Sequence, residues 1–161
     1  MPACYDRVAR TLHWTMAALI LVQFATGWGW GYFERGTDPR FYLFRTHLIA
    51  GYAVLALALL RIGWRLTHRA PPLPVGMPRW QHMAAHATHG LLYLAILIQP
   101  VLGALTTTAY GKSLGTGRIH VALAYVIAGL VLVHVGAALW HHFLRRDGLL
   151  LRMLPPSRSL P

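Results

Sequence analysis

Four long apolar stretches, separated by short polar, glycine and proline clusters, divide the chain. They run near 11–33, 41–64, 83–107 and 119–143, each with about the 20 residues that a helix needs to cross about 30 Å of hydrocarbon. The breaks differ in chemistry. After the first stretch comes Glu34-Arg35-Gly36-Thr37-Asp38-Pro39, a turn-forming cluster that cannot continue a helix. The second gives way to an extended proline-rich linker, Ala70-Pro71-Pro72-Leu73-Pro74-Val75-Gly76-Met77-Pro78, and the third to a short, flexible segment over 110–117. Connections this short favour sequential helices as neighbours. The pattern therefore predicts an all-α integral membrane protein: one domain over 1–161, folded as an up-down-up-down four-helix bundle. Arg7 and Arg10 before the first stretch raise the alternative of a signal peptide, but Gly27-Trp28-Gly29-Trp30-Gly31-Tyr32 reads as an interfacial aromatic belt.

Composition agrees with a membrane class. Hydrophobic residues make up 56% of the chain and charged residues 12%, about half the charged share of a soluble domain. Mean hydropathy is +0.46. A net charge of +11 would suggest nucleic acid in a soluble protein, but here the cations lie between and beyond the apolar runs, where they anchor helices at phospholipid surfaces. Membrane lipid, and no nucleic acid, is the expected partner. Arg7, Arg10, Arg61, Arg65, Arg69, Arg79, Arg145, Arg146, Arg152 and Arg158 fall on one side, against Arg35, Arg40, Arg45, Lys112 and Arg118 on the other. That excess predicts a multi-pass protein of the bacterial cytoplasmic (inner) membrane with both termini cytoplasmic. Cys4, the single cysteine, makes no internal disulfide.

Imidazoles inside a bilayer need compensating partners, and His13, His47, His89, His120 and His134 all lie within the apolar stretches. For any one of them, a hydrogen bond to a neighbouring helix is the plain alternative. Their ensemble says more. His120 and His134 are 14 residues apart, nearly four helical turns, so they share a face about 21 Å apart in depth. With alternating helices, His13 reaches the cytoplasmic level of His134, and His47 the opposite level of His120. The expected couples are His13/His134 and His47/His120. Zinc would ask for three or four close ligands, usually with thiolate or carboxylate, which the spans lack. Two imidazoles on facing helices suit a haem iron with both axial positions filled. His141, His82, His86 and His89 remain competitors for the place of His134 opposite His13, and His86, His89 and His141 are also candidates for a quinone or proton site at the inner face.

Other residues fall on the same periodicity. Arg61, 14 residues after His47, is placed to pair with a propionate of the inner haem, or else to snorkel to the interface. Gly27 and Gly103 stand 14 residues after His13 and His89, leaving room for the outer macrocycle or serving helix contact. Pro100 is expected to kink the third helix.

Several stretches together carry a family resemblance: Arg10-Thr11-Leu12-His13-Trp14, Arg45-Thr46-His47-Leu48, Arg61 with Arg65, His86-Ala87-Thr88-His89-Gly90-Leu91-Leu92-Tyr93, His120, and His134 through His141-His142-Phe143 to Leu150-Leu151-Arg152-Met153-Leu154-Pro155. In these the chain resembles the bacterial cytochrome b561 family, within a wider group that includes the cytochrome b subunits of hydrogenases. The resemblance implies two haem b groups with axial ligands at His13, His47, His120 and His134. It also implies electron transfer with the quinone pool, and in the superoxide-oxidising members the oxidation of superoxide and reduction of ubiquinone. Arg45, Lys112 and Arg118 would attract a small anion to the outer face, or simply anchor it. The connection between the third and fourth spans is shorter than in those members, which leaves the donor open. An alternative is a membrane anchor and electron relay for a partner dehydrogenase or hydrogenase, in which the donor is a redox protein. A haem-free, histidine-lined proton or metal carrier is a third class, disfavoured by the lack of membrane carboxylates.

Overall fold

In the computed structural model, residues 4–74 and 76–154 are described; Val75, Pro155 and Arg158, invoked above, lie outside them. Every regular element among the described residues is helical, and four helices are long and apolar enough to cross a membrane. The protein is a four-helix membrane bundle of up-down-up-down order.

Helix α1 spans Arg7–Gly29 and tightens into a 3-10 turn at Trp30–Tyr32. It starts four residues earlier than the apolar pattern predicts. The cause is Asp6, whose Oδ1 accepts from the Ala9 amide at 2.8 Å and caps the helix. Its Oδ2 accepts from Trp64 Nε1 at 3.1 Å, which ties the start of α1 to the end of the next long helix. Helix α2, Asp38–Thr67, also begins early: Asp38 and Pro39, read above as loop, form its first turn. Proline tolerates that position because the amide it lacks would have no helical partner there.

Helix α3 covers Arg79–Leu105 and contains Pro100. The following segment is not a plain loop. Thr108 caps a short helix α4, Ala109–Ser113, by accepting from the Gly111 amide at 2.9 Å. A Cβ at Gly111 would lie 1.9 Å from the Leu105 carbonyl oxygen, so only glycine fits. Gly115 then takes a left-handed φ of 66° and starts α5, Thr116–Trp140. A π-helical turn, His141–Arg145, extends α5, and a 3-10 turn at Leu150–Met153 closes the described chain.

Helices α1 and α2 pack closely as one hairpin, and α3 and α5 as another. The hairpins meet chiefly through α2 and α3; neither α1 nor α2 packs its backbone closely on α5. Small side chains make the tight contacts, among them Ala50, Val54 and Ala58 at four-residue intervals on α2. Large apolar groups such as Leu21, Ile49, Leu60, Leu94 and Leu132 are exposed, as a surface solvated by lipid tails requires.

Candidate functional site

Histidines from both hairpins face one another across the space between them, at two levels. At the end distant from the termini, His47 of α2 meets His120 of α5 with ring centres 6.1 Å apart and planes at 84°. At the end near the termini, His13 of α1 meets His134 of α5 at 6.2 Å and 68°. All four side chains are half-buried. Two metal–nitrogen bonds of about 2 Å, with the half-width of each imidazole, separate ring centres by about 6 Å. Both couples have that span.

The couple distant from the termini, outer with respect to the chain ends, is held by matching hydrogen bonds. His47 Nδ1 lies 3.2 Å from the Gln23 carbonyl and 3.1 Å from Thr26 Oγ1, and His120 Nδ1 lies 3.0 Å from the Gln99 carbonyl. A carbonyl only accepts, so each Nδ1 carries the proton and each Nε2 is left with a lone pair that can bind a metal, the Gln99 amide nitrogen standing 3.5 Å from His120 Nε2. In return, Gln23 Nε2 donates to the His47 carbonyl at 2.9 Å, and Gln99 Nε2 to the His120 carbonyl at 3.0 Å. Gly27 and Gly103 complete the seat: a Cβ there would come within 3.0 Å of His47 Cε1 and 2.9 Å of His120 Cε1. Their role is thus a correction to the sequence expectation, because the space they leave is taken by the imidazoles themselves. The two glutamines were not anticipated at all.

The couple near the termini, inner with respect to the chain ends, has a different setting. His89 of α3 also faces His134, with ring centres 5.1 Å apart, and its side chain is exposed. Arg61 of α2 lies within electrostatic reach of His13, His89 and His134. Its Nε donates to Tyr93 Oη at 3.1 Å, and its guanidinium lies 5.8 Å from the centre of that ring. A fixed cation beside paired imidazoles is what a haem propionate needs, so the donor set and the ring spacing at both levels, with the glycine seats at one of them, fit b-type haem. Among the described residues, no group of three or more His, Cys, Asp or Glu is placed to hold a bare metal ion.

The candidate proton residues are not together. His86 is exposed, and His89 joins the inner cluster. His141 is buried, and its Nδ1 pairs with Asp147 Oδ2. The chain turns back there because Arg146 adopts a left-handed φ of 54° after the π-helical turn. The tail then runs under the inner end: Arg10 donates to the Leu154 carbonyl and Trp14 to the Met153 carbonyl, both at 2.8 Å, while Arg152 bonds the Pro72 carbonyl. At the outer end, Trp30 stacks on Phe44 at 5.1 Å and lies 5.9 Å from His47. Beside it opens a cleft of about 560 Å³ lined by Trp30, Asp38, Arg40, Phe41 and Phe44 among others.

Comparison with known proteins converges on one family. A family model described as prokaryotic cytochrome b561 matches residues 4–156. Cytochrome b562 of Cereibacter sphaeroides is 36% identical over 156 residues, covering 94% of this chain and 96% of that one. Cytochrome b561 homolog 1 of Escherichia coli is 30% identical over 163 residues, covering 89% and 93%. A Yersinia pestis protein named "probable superoxide oxidase CybB" is 28% identical over 174 residues, covering 92% and 94%. The chain belongs to the prokaryotic cytochrome b561 family, to which b-type haem and electron transfer in the membrane attach.

Proposed function

We propose that the chain acts as one transmembrane unit holding two b-type haems, one on His13 and His134 and the other on His47 and His120. The observation that carries this reading is the pair of imidazole couples, at 6.1 and 6.2 Å, at opposite ends of the bundle. Bound there, the haems supply one-electron conduction between the two faces. The protein lies in the bacterial inner membrane with both termini cytoplasmic, so the His47/His120 couple faces outward. Its leading activity is oxidation of superoxide outside and reduction of ubiquinone within the membrane. Two superoxide anions give up one electron each and leave as dioxygen, while ubiquinone takes two electrons and two protons.

Residues of the chain serve each half of that exchange. Arg45, Lys112 and Arg118 draw a small anion to the outer end by field focusing. His141, hydrogen-bonded to Asp147, delivers protons near the inner face, with His86 and His89 as further donors. Arg61 neutralises a propionate at the inner level.

One observation favours a second reading, in which the protein relays electrons for a partner dehydrogenase or hydrogenase. The cleft beside Trp30 is far larger than a diatomic anion, and the Trp30 ring that lines it lies 5.9 Å from the ring of His47. Rapid mixing of the oxidised protein with superoxide and a ubiquinone analogue separates the two. Haem reduction followed by quinol formation supports superoxide oxidation; unreduced haem in a protein carrying two haems rejects it and leaves the relay.

A further inference from the structure

The spacings of the first hairpin recur in the second. His13, Gln23 and Gly27 on α1 stand at the same intervals as His89, Gln99 and Gly103 on α3. Arg45, His47, Tyr52 and Gly63 on α2 likewise match Arg118, His120, Tyr125 and Gly136 on α5. The structure repeats the correspondence in its contacts. Each outer histidine donates from Nδ1 to the carbonyl of its glutamine, receives that glutamine's amide on its own carbonyl, and rests on the matching glycine. Sequence interval and hydrogen-bond pattern agreeing at so many positions describe one hairpin present twice.

Exchange of the two hairpins has unequal consequences at the two levels. The outer couple, His47 with His120, maps onto itself. The inner couple does not, because the counterpart of His13 is His89 and the counterpart of His134 is Arg61. Thus the inner end contains two equivalent places for a couple, His13/His134 and His89/Arg61, and only the first has two imidazoles. A guanidinium stays protonated and offers no lone pair to iron. Tyr93, one turn beyond His89 on the same face, receives the Arg61 hydrogen bond, which brings the second pair of positions together.

We propose that this protein is a duplicated hairpin whose inner end retains a latent iron ligand, His89, which takes the place of His13 opposite His134 when His13 is removed. The proposal rests on the dihaem reading. Its geometric basis is that His134 faces both rings, His13 at 6.2 Å and His89 at 5.1 Å. The second distance is about 1 Å short of the span two metal–nitrogen bonds require, so His13 holds the position in the native protein. An exposed ring at the end of two rotatable bonds has room to withdraw by that amount.

The test counts haem per protein and records absorption and electron paramagnetic resonance spectra of the purified full chain, with the outer haem as the internal marker of folding. Wild type carries two haems, and His134→Ala and the double variant His13→Ala/His89→Ala carry one. His13→Ala alone keeps two, both low-spin, with an altered inner-haem signal. The exchange Arg61→His/His134→Arg also keeps two and, with the roles of His13 and His89 reversed, loses one only when both His13→Ala and His89→Ala are added. If His13→Ala retains one haem, or a second haem that is high-spin, and the exchange variant retains one, His89 is no ligand and the proposal is overturned. Failure of the dihaem reading looks different: wild type itself would lack two haems.

Discussion

Replacing Gly103 with alanine tests the outer seat most directly. The added Cβ would lie 2.9 Å from His120 Cε1 and 3.3 Å from its Nδ1, whereas unstrained contacts between such atoms need about 3.5 Å or more. The ring must therefore move by about half an ångström. It has little freedom to do so, since Nδ1 is bonded to the Gln99 carbonyl at 3.0 Å and, in the dihaem reading, Nε2 is fixed by iron. Overpacking of this kind costs about 1–3 kcal/mol. Against it stands the better helix propensity of alanine, worth about 1 kcal/mol. In overall stability the two leave a loss of about 0–2 kcal/mol, but helix propensity acts alike with and without haem, so at a tenfold change per about 1.4 kcal/mol the overpacking alone should weaken outer-haem binding by about 5- to 150-fold. Gly27→Ala, with its nearest contact at 3.0 Å, should act in the same direction. Gly129→Ala is the control, because a Cβ there meets nothing within 4 Å. Haem content and reduced-minus-oxidised spectra during haem titration read the outcome. An unshifted outer-haem spectrum and unchanged affinity in Gly103→Ala would refute the claim that glycine is there to admit the imidazole.

Three further outcomes follow from the contacts. Gln23→Leu or Gln99→Leu removes a donor to a histidine carbonyl and should lower stability by about 0.6–2 kcal/mol while both haems remain; detergent thermal melts check it, and an unchanged Tm counts against the contact. The Asp6 carboxyl is held below its ordinary value of 3.8, first by the Ala9 amide and also by the Trp64 indole, the opposing effect of burial being outweighed. Its helix-capping contribution, about 0.5–1 kcal/mol for so exposed a group, is therefore present above about pH 4 and lost as pH falls through the lowered value. The Tm gap between wild type and Asp6→Ala should close on acidification, and a gap that widens would show the sign to be wrong. Replacing the buried His141 by glutamine should slow quinone reduction by about a hundredfold with both haems intact if it passes protons, and stopped-flow rates equal to wild type would remove it from that role.

The parts of this molecule legible in its sequence are those fixed by coarse physics. Four spans are visible because hydrocarbon thickness dictates a length, and the two couples are visible because fourteen residues make nearly four turns, placing His120 and His134 on one face. What escaped reading depends on single hydrogen bonds. Asp6 and Asp38-Pro39 begin their helices by capping and by proline geometry, which add a turn ahead of any apolar pattern. His141 is buried because a left-handed Arg146 folds the half-buried Asp147 back onto it, a contact no periodicity announces. Gln23 and Gln99 resemble isolated polar residues until the ten-residue interval from His13 and from His89 is noticed, and that interval was the available signal. The same repetition makes His13 and His89 equivalent in the sequence. Only the distances to His134, 6.2 Å and 5.1 Å, distinguish them, because exchange of the hairpins maps His47/His120 onto itself but His13/His134 onto His89/Arg61, which leaves one histidine over.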